Sequence, residues 1–110
     1  MLHKMKLKES PFESIKNGTK TIEFRLYDEK RQLIKVGDTI EFSKLPALQE
    51  KLLVDVIELY REDTFENLFR KLYDDEEEIK RKTKAMEQYY SFEKEKEYGV
   101  LGIKIRINVE

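Results

Sequence analysis

Three side chains of opposite charge crowd into one short stretch, Gly18-Thr19-Lys20-Thr21-Ile22-Glu23-Phe24-Arg25. Gly18 permits a tight turn, which sets Lys20 at the mouth of whatever groove lies beside it. From Thr21 to Leu26 polar and apolar residues alternate with the period of a strand, so Glu23 and Arg25 project to the same face. Lys20 and Arg25 together can hold a phosphate or a carboxylate. In a poorly solvated groove Lys20 becomes a better base and Glu23 a proton shuttle. The same alternation also describes a solvated strand face carrying a weak ion pair. Spacing alone does not separate the two.

The elements that must position these residues are legible from periodicity. Residues 1–8 alternate, with His3, Met5 and Leu7 on one face and Lys4, Lys6 and Lys8 on the other, which predicts a strand. Ser10 as N-cap and Pro11 at the first helical position open a helix of about two turns, and Asn17-Gly18 supplies its left-handed stop. In the strand that follows, Ile22, Phe24 and Leu26 point one way and Thr21, Glu23 and Arg25 the other. Residues 27–35 are polar and read as a loop. A third strand, 39–43, has Ile40 and Phe42 inward and is closed by Pro46. A longer one, 51–60, places Leu52, Val54 and Val56 on one face. Ile57 and Leu59 fall on the other parity, predicting a bulge or burial on both sides. Thr64 caps a helix whose Phe65, Leu68, Phe69 and Leu72 form an amphipathic stripe. A second helix, 76–90, starts in the acidic run 74–78, as the helix dipole favours. After Gly99, Leu101, Ile103, Ile105, Ile107 and Val109 alternate strictly. The order is β-α-β-β-β-α-α-β. Strands are not regularly interleaved with crossover helices, so the expectation is a single α+β domain over 1–110, a small mostly antiparallel β-barrel with packed helices.

Composition narrows the function classes. With 110 residues the chain fits one domain. Its 41% of charged residues would suit disorder only with a large net charge, but 22 basic and 23 acidic residues nearly cancel. No cysteine is present, which excludes disulfides, thiolate metal sites and a cysteine nucleophile. A single histidine excludes any site needing several. No apolar run reaches the roughly 20 residues that cross a bilayer, and the N-terminus lacks a secretory apolar core, so no membrane partner and a cytoplasmic location are expected. A net charge of -1 does not suit broad duplex binding. Nucleic acid therefore requires positive charge concentrated in a cleft.

The pattern G-x-K-x-x-E-x-R after the first helix resembles the signature of ASCH domains, the activating signal cointegrator homology family, whose fold is similar to that of PUA domains. Pro11-Phe12-Glu13-Ser14-Ile15-Lys16-Asn17-Gly18 resembles that family's lead-in helix, and Val36-Gly37-Asp38-Thr39-Ile40-Glu41-Phe42 its G-D-x-I-x-F strand entry. Tyr89-Tyr90, followed by Tyr98-Gly99-Val100-Leu101-Gly102-Ile103, resembles its closing helix and strand. The resemblance implies a PUA-like barrel with a cleft lined by Lys20, Glu23 and Arg25, and RNA, a nucleoside or a nucleotide as partner; no cofactor and no metal are expected. Some members of similar size act as amidohydrolases on N4-acetylcytidine through a Lys, a Thr three residues later and a Glu. Here Glu23 stands in the place of that Thr, and the third residue could fall anywhere in 74–78.

The ligand-binding set expected from sequence is therefore Gly18, Lys20, Thr21, Glu23, Arg25 and Tyr90. Tyr90 enters because adjacent helix positions cannot both face one core, leaving one hydroxyl of Tyr89-Tyr90 for the cleft. If the chain is an enzyme, Lys20 and Glu23 are its catalytic pair. Phe65 and Phe69 read as core rather than as base-stacking residues, and His3 as packed rather than as a ligand. The acidic run 74–78 lacks the spaced oxygens and the Gly of a calcium loop. Lys4, Lys6 and Lys8 form either a solubilising edge or an extended phosphate track. Three functions follow: an RNA- or nucleotide-binding domain, a small amidohydrolase or ribonuclease-like hydrolase, and a protein-interaction domain.

Overall fold

Alternating strands of unequal length have to find partners, and the partners they find set the architecture. The computed structural model describes residues 1–109; residue 110, the last of the expected domain, lies outside them. In chain order the elements are β1 (Leu2–Leu7), α1 (Glu9–Lys16), β2 (Ile22–Leu26), a 3-10 turn (Arg31–Leu33), β3 (Thr39–Lys44), β4 (Lys51–Glu62), α2 (Phe65–Leu72), α3 (Glu76–Glu87), α4 (Phe92–Tyr98) and β5 (Val100–Ile107). The five strands form one sheet in the order β1-β3-β4-β5-β2. β1 runs parallel to β3, with His3 opposite Ile40 and Met5 opposite Phe42. β3 runs antiparallel to β4, with Ile40 opposite Val54. The α+β class is as expected from sequence. The mostly antiparallel closed barrel is not: among the described residues the sheet is mixed, and β1 and β2 are its two edges. Period-two alternation tells which face a residue takes, but neither its neighbour nor the direction of pairing.

By internal contacts the chain divides into two compact units. The first comprises residues 1–23, 34–59 and the chain from Ile103; the second comprises 24–33 and 60–102. In the first unit, Met5, Leu7, Phe12, Ile15, Ile40, Phe42, Val54, Val56, Ile103 and Ile105 are buried. Helix α1 begins two residues earlier than Ser10 would make it: Lys8 is the N-cap, its carbonyl accepting from Phe12 N at 3.1 Å, and no side chain caps the end. Pro11 therefore lies within the first turn, where a missing N–H leaves nothing unsatisfied. His3 is buried, as expected of a packed residue, and its Nε2 lies 2.8 Å from Asp38 Oδ2. The exposed lysines of β1 line the outer face of an edge strand, where charge discourages edge-to-edge pairing.

The second unit has an aromatic interior. Leu26, Phe65, Leu68, Phe69, Ile79 and Val100 form its buried cluster. Phe24 meets Phe69 edge-on with ring centroids 4.9 Å apart. Thr64 caps α2 as expected, its Oγ1 accepting from Asn67 N at 3.1 Å. Helix α3 stops at Glu87, short of the residue 90 expected, and a further helix, α4, forms between it and β5 where the sequence pattern predicts no element. Its sequence, Phe-Glu-Lys-Glu-Lys-Glu-Tyr, carries no apolar stripe. A local signal did exist: Ser91 accepts from Lys94 N, and Gly99 (φ 75°) ends the helix. A side chain at Gly99 would also press on the Glu62 carbonyl, 3.1 Å from an added Cβ. What holds α4 is tertiary: Glu95 Oε1 accepts from Phe65 N at 2.8 Å and satisfies a donor at the start of α2. No described helix is long and apolar enough to cross a membrane.

Candidate functional site

The end of α1 is built to hold one residue still. Asn17 N donates to the Glu13 carbonyl at 2.9 Å, and Gly18 N to that of Ile15 at 3.1 Å. Gly18 takes a φ of 86°, a left-handed conformation costly to other residues. Asn17 Oδ1 then accepts from Thr19 N at 3.0 Å and from Thr19 Oγ1 at 2.7 Å, an Asx turn that braces the loop. Lys20 N donates to the Ser14 carbonyl at 3.0 Å, and the Thr21 carbonyl accepts from Ile105 N at 2.9 Å, fastening the segment to β5. At the helix terminus Lys16 Nζ lies 2.6 Å from Glu50 Oε2, a hydrogen bond that raises the lysine pKa above its usual value. Lys20 is therefore fixed at both its backbone neighbours.

Its side chain meets Glu23, with Nζ 2.8 Å from Oε1. The ammonium is 28% exposed and the carboxylate only 5%. Glu23 thus lies deeper than Ile22 and Phe24, which are half-buried, while Leu26 on their face is buried. A buried carboxylate loses hydration that only a close cation or donors can replace, so the reading of Thr21, Glu23 and Arg25 as a uniformly solvated face does not hold at Glu23.

Beside Lys20 opens a groove of about 1100 Å³. Gly18, Lys20 and Thr21 line it from the α1 turn, Asp55 and Ile57 from β4, and Lys104 to Val109 from β5 and the residues after it. Three cations, Lys20, Lys104 and Arg106, face one carboxylate, Asp55, whose Oδ1 accepts from Asn108 Nδ2 at 3.0 Å. All these residues belong to the first unit. Of the residues expected from sequence, the structure brings Gly18, Lys20 and Thr21 to the groove and sets Glu23 behind Lys20. Arg25 and Tyr90 belong to the second unit. There Tyr90 stacks on Phe65 with centroids 5.5 Å apart, while Tyr89 is the exposed member of the pair. In the acidic run, Asp75 caps α3 by accepting from Glu77 N, and Glu76 pairs with Arg70 at 2.7 Å. Sequence reading missed Asn17 and Thr19 as bracing residues, and Lys104 and Arg106 as groove cations. The signals were the Asn-Gly-Thr turn and the polar parity of the last strand.

A mixed five-stranded sheet with helices, and a lysine presented by a glycine turn beside a buried glutamate, define a PUA-like α+β domain with a charged groove. The ASCH domain model matches residues 5–108, and the chain belongs to that family. The structure is similar to the crystal structure of hypothetical protein PH0355, 35% identical, with a TM-score of 0.83 over 98% of this chain and 100% of that one. It is also similar to the solution NMR structure of protein PF0455 from Pyrococcus furiosus, 35% identical, with a TM-score of 0.73 over 100% of both chains. A mutant of ZmASCH from Zymomonas mobilis, 15% identical with a TM-score of 0.60 over 96% of this chain and 67% of that one, shares the fold. Among curated proteins none matches.

Proposed function

We propose that the whole chain acts as one ASCH domain in the cytoplasm, binding RNA or a nucleotide-like ligand through a phosphate held by Lys20. The observation that carries this reading is the Lys20–Glu23 pair. Glu23 is buried and holds the Lys20 ammonium at 2.8 Å, at the edge of a groove that Lys104 and Arg106 also line. A lysine held in this way has already lost much of its rotamer freedom, so a phosphate gains a pre-placed donor at little further entropic cost. Gly18 and Thr21 line the groove beside Lys20.

The test is calorimetric titration of nucleoside monophosphates and a short single-stranded RNA against the parent protein and Lys20→Met. The variant is expected to bind at least tenfold more weakly. Because removing Lys20 strands a buried carboxylate, Lys20→Met/Glu23→Gln serves as the companion: it should regain thermal stability without regaining affinity. Equal affinity of parent and folded variants would overturn the reading.

One observation favours a second reading. An amine and a buried carboxylate in contact beside a groove can pass a proton to and from a reacting group, as hydrolysis of an N4-acetylated cytidine requires. Incubation with N4-acetylcytidine and mass spectrometry, with Lys20→Met as control, decides it. Loss of the acetyl group only with the parent protein would make the chain an amidohydrolase; an unchanged substrate leaves the binding reading.

A further inference from the structure

The last strand carries two cations to which nothing has yet assigned a role. Strict alternation buries Ile103 and Ile105 in the first unit and turns Lys104 and Arg106 to the opposite face, two residues apart. Along a strand that spacing is about 6.6 Å, and both side chains line the groove that Lys20 borders. Lys104 Nζ meets Glu58 Oε1 at 3.4 Å, but with side chains 41% and 50% exposed this is a weak surface contact that a phosphate can displace. Ile57, Ile105 and Ile107 also line the groove, and no aromatic residue does.

We infer that Lys104 and Arg106 form a second phosphate subsite, so that the groove takes a single-stranded oligonucleotide backbone rather than a lone nucleoside or mononucleotide. The inference rests on the reading of Lys20 as a phosphate contact. A single cation would suffice for one phosphate; three along one groove suit a chain of them. With no aromatic platform for stacking, recognition is led by the backbone, which positions a strand without reading its sequence.

The experiment is fluorescence anisotropy with labelled hexamers of single-stranded RNA and of DNA, from 50 to 300 mM salt, beside calorimetry with a mononucleotide. Three phosphate contacts predict a log–log salt slope of about -2 for the hexamer, and Lys104→Gln/Arg106→Gln should reduce it by about 1.4. The double variant should bind the hexamer at least tenfold more weakly and the mononucleotide within twofold of the parent. Lys20→Met should weaken both ligands. Comparison of the two hexamers separates RNA from DNA as the source of the backbone, and the inference stands or falls on the slope of whichever binds. An unchanged slope in the double variant overturns the second subsite while leaving Lys20 intact. Failure of the parent to bind hexamer or mononucleotide overturns both readings together.

Discussion

The two units handle the same abundance of charge in opposite ways. In the second, Arg70 has good pairing geometry: its guanidinium reaches Glu76 at 2.7 and 2.9 Å and Glu66 at 3.1 and 3.2 Å. Those side chains are about half exposed, so water competes with every bond. In the first unit, Lys20 meets Glu23 at 2.8 Å, yet that carboxylate is nearly sealed from solvent and the ammonium borders an open groove. The number and quality of ion pairs is therefore a poor guide to a working site. Burial on one side and access on the other is the better one. The surroundings differ as well: the second unit's core is lined with packed aromatic rings, whereas the first unit bears an open groove beside β5.

The comparison can be broken most forcefully at the second unit's core. Phe69→Ala removes a ring that is 1% exposed and packed on Phe24, Phe65 and Tyr73. A loss of about 3–5 kcal/mol in denaturant unfolding is expected, with hexamer affinity of the folded variant within twofold of the parent. Weaker binding by folded protein would show that the aromatic core does more than support its own unit. A smaller effect concerns Asp38. Its carboxyl is lowered from 3.8 to about 2, first by the hydrogen bond with His3 and then by the Lys35 backbone N–H. A carboxyl with a depressed folded pKa stabilises the fold above its unfolded value and loses that contribution as pH falls. Stability of the parent should thus drop between about pH 4 and pH 2, and Asp38→Asn should flatten that limb while lowering stability at neutral pH. A limb of the same height in the variant would remove Asp38 as its cause. The smallest change sharpens the contrast. Arg70→Ala is expected to cost less than about 1 kcal/mol and to leave the salt slope of hexamer binding unaltered. A shallower slope would place Arg70 among the phosphate contacts and end the division drawn between the two charge clusters.

Much of this protein can be read without coordinates. The alternation of β1, β3 and β5, the Thr64 cap, the stripe Phe65–Leu68–Phe69 and the Gly18 turn are local patterns, set by the two- and 3.6-residue periods of the backbone. They determine the element order apart from α4, and bring Gly18, Lys20 and Glu23 together near one turn. Tertiary structure decided the rest. That β1 lies parallel to β3, that α4 is held by the bond from Phe65 N to Glu95, and that Glu23 is buried while Ile22 and Phe24 are half covered all depend on partners distant in sequence. The groove is the clearest instance: its cations come from residues 20, 104 and 106. Periodicity within a segment specifies which way a side chain points. It carries no information about which other segment will stand opposite, and an electrostatic site exists only once both are in place.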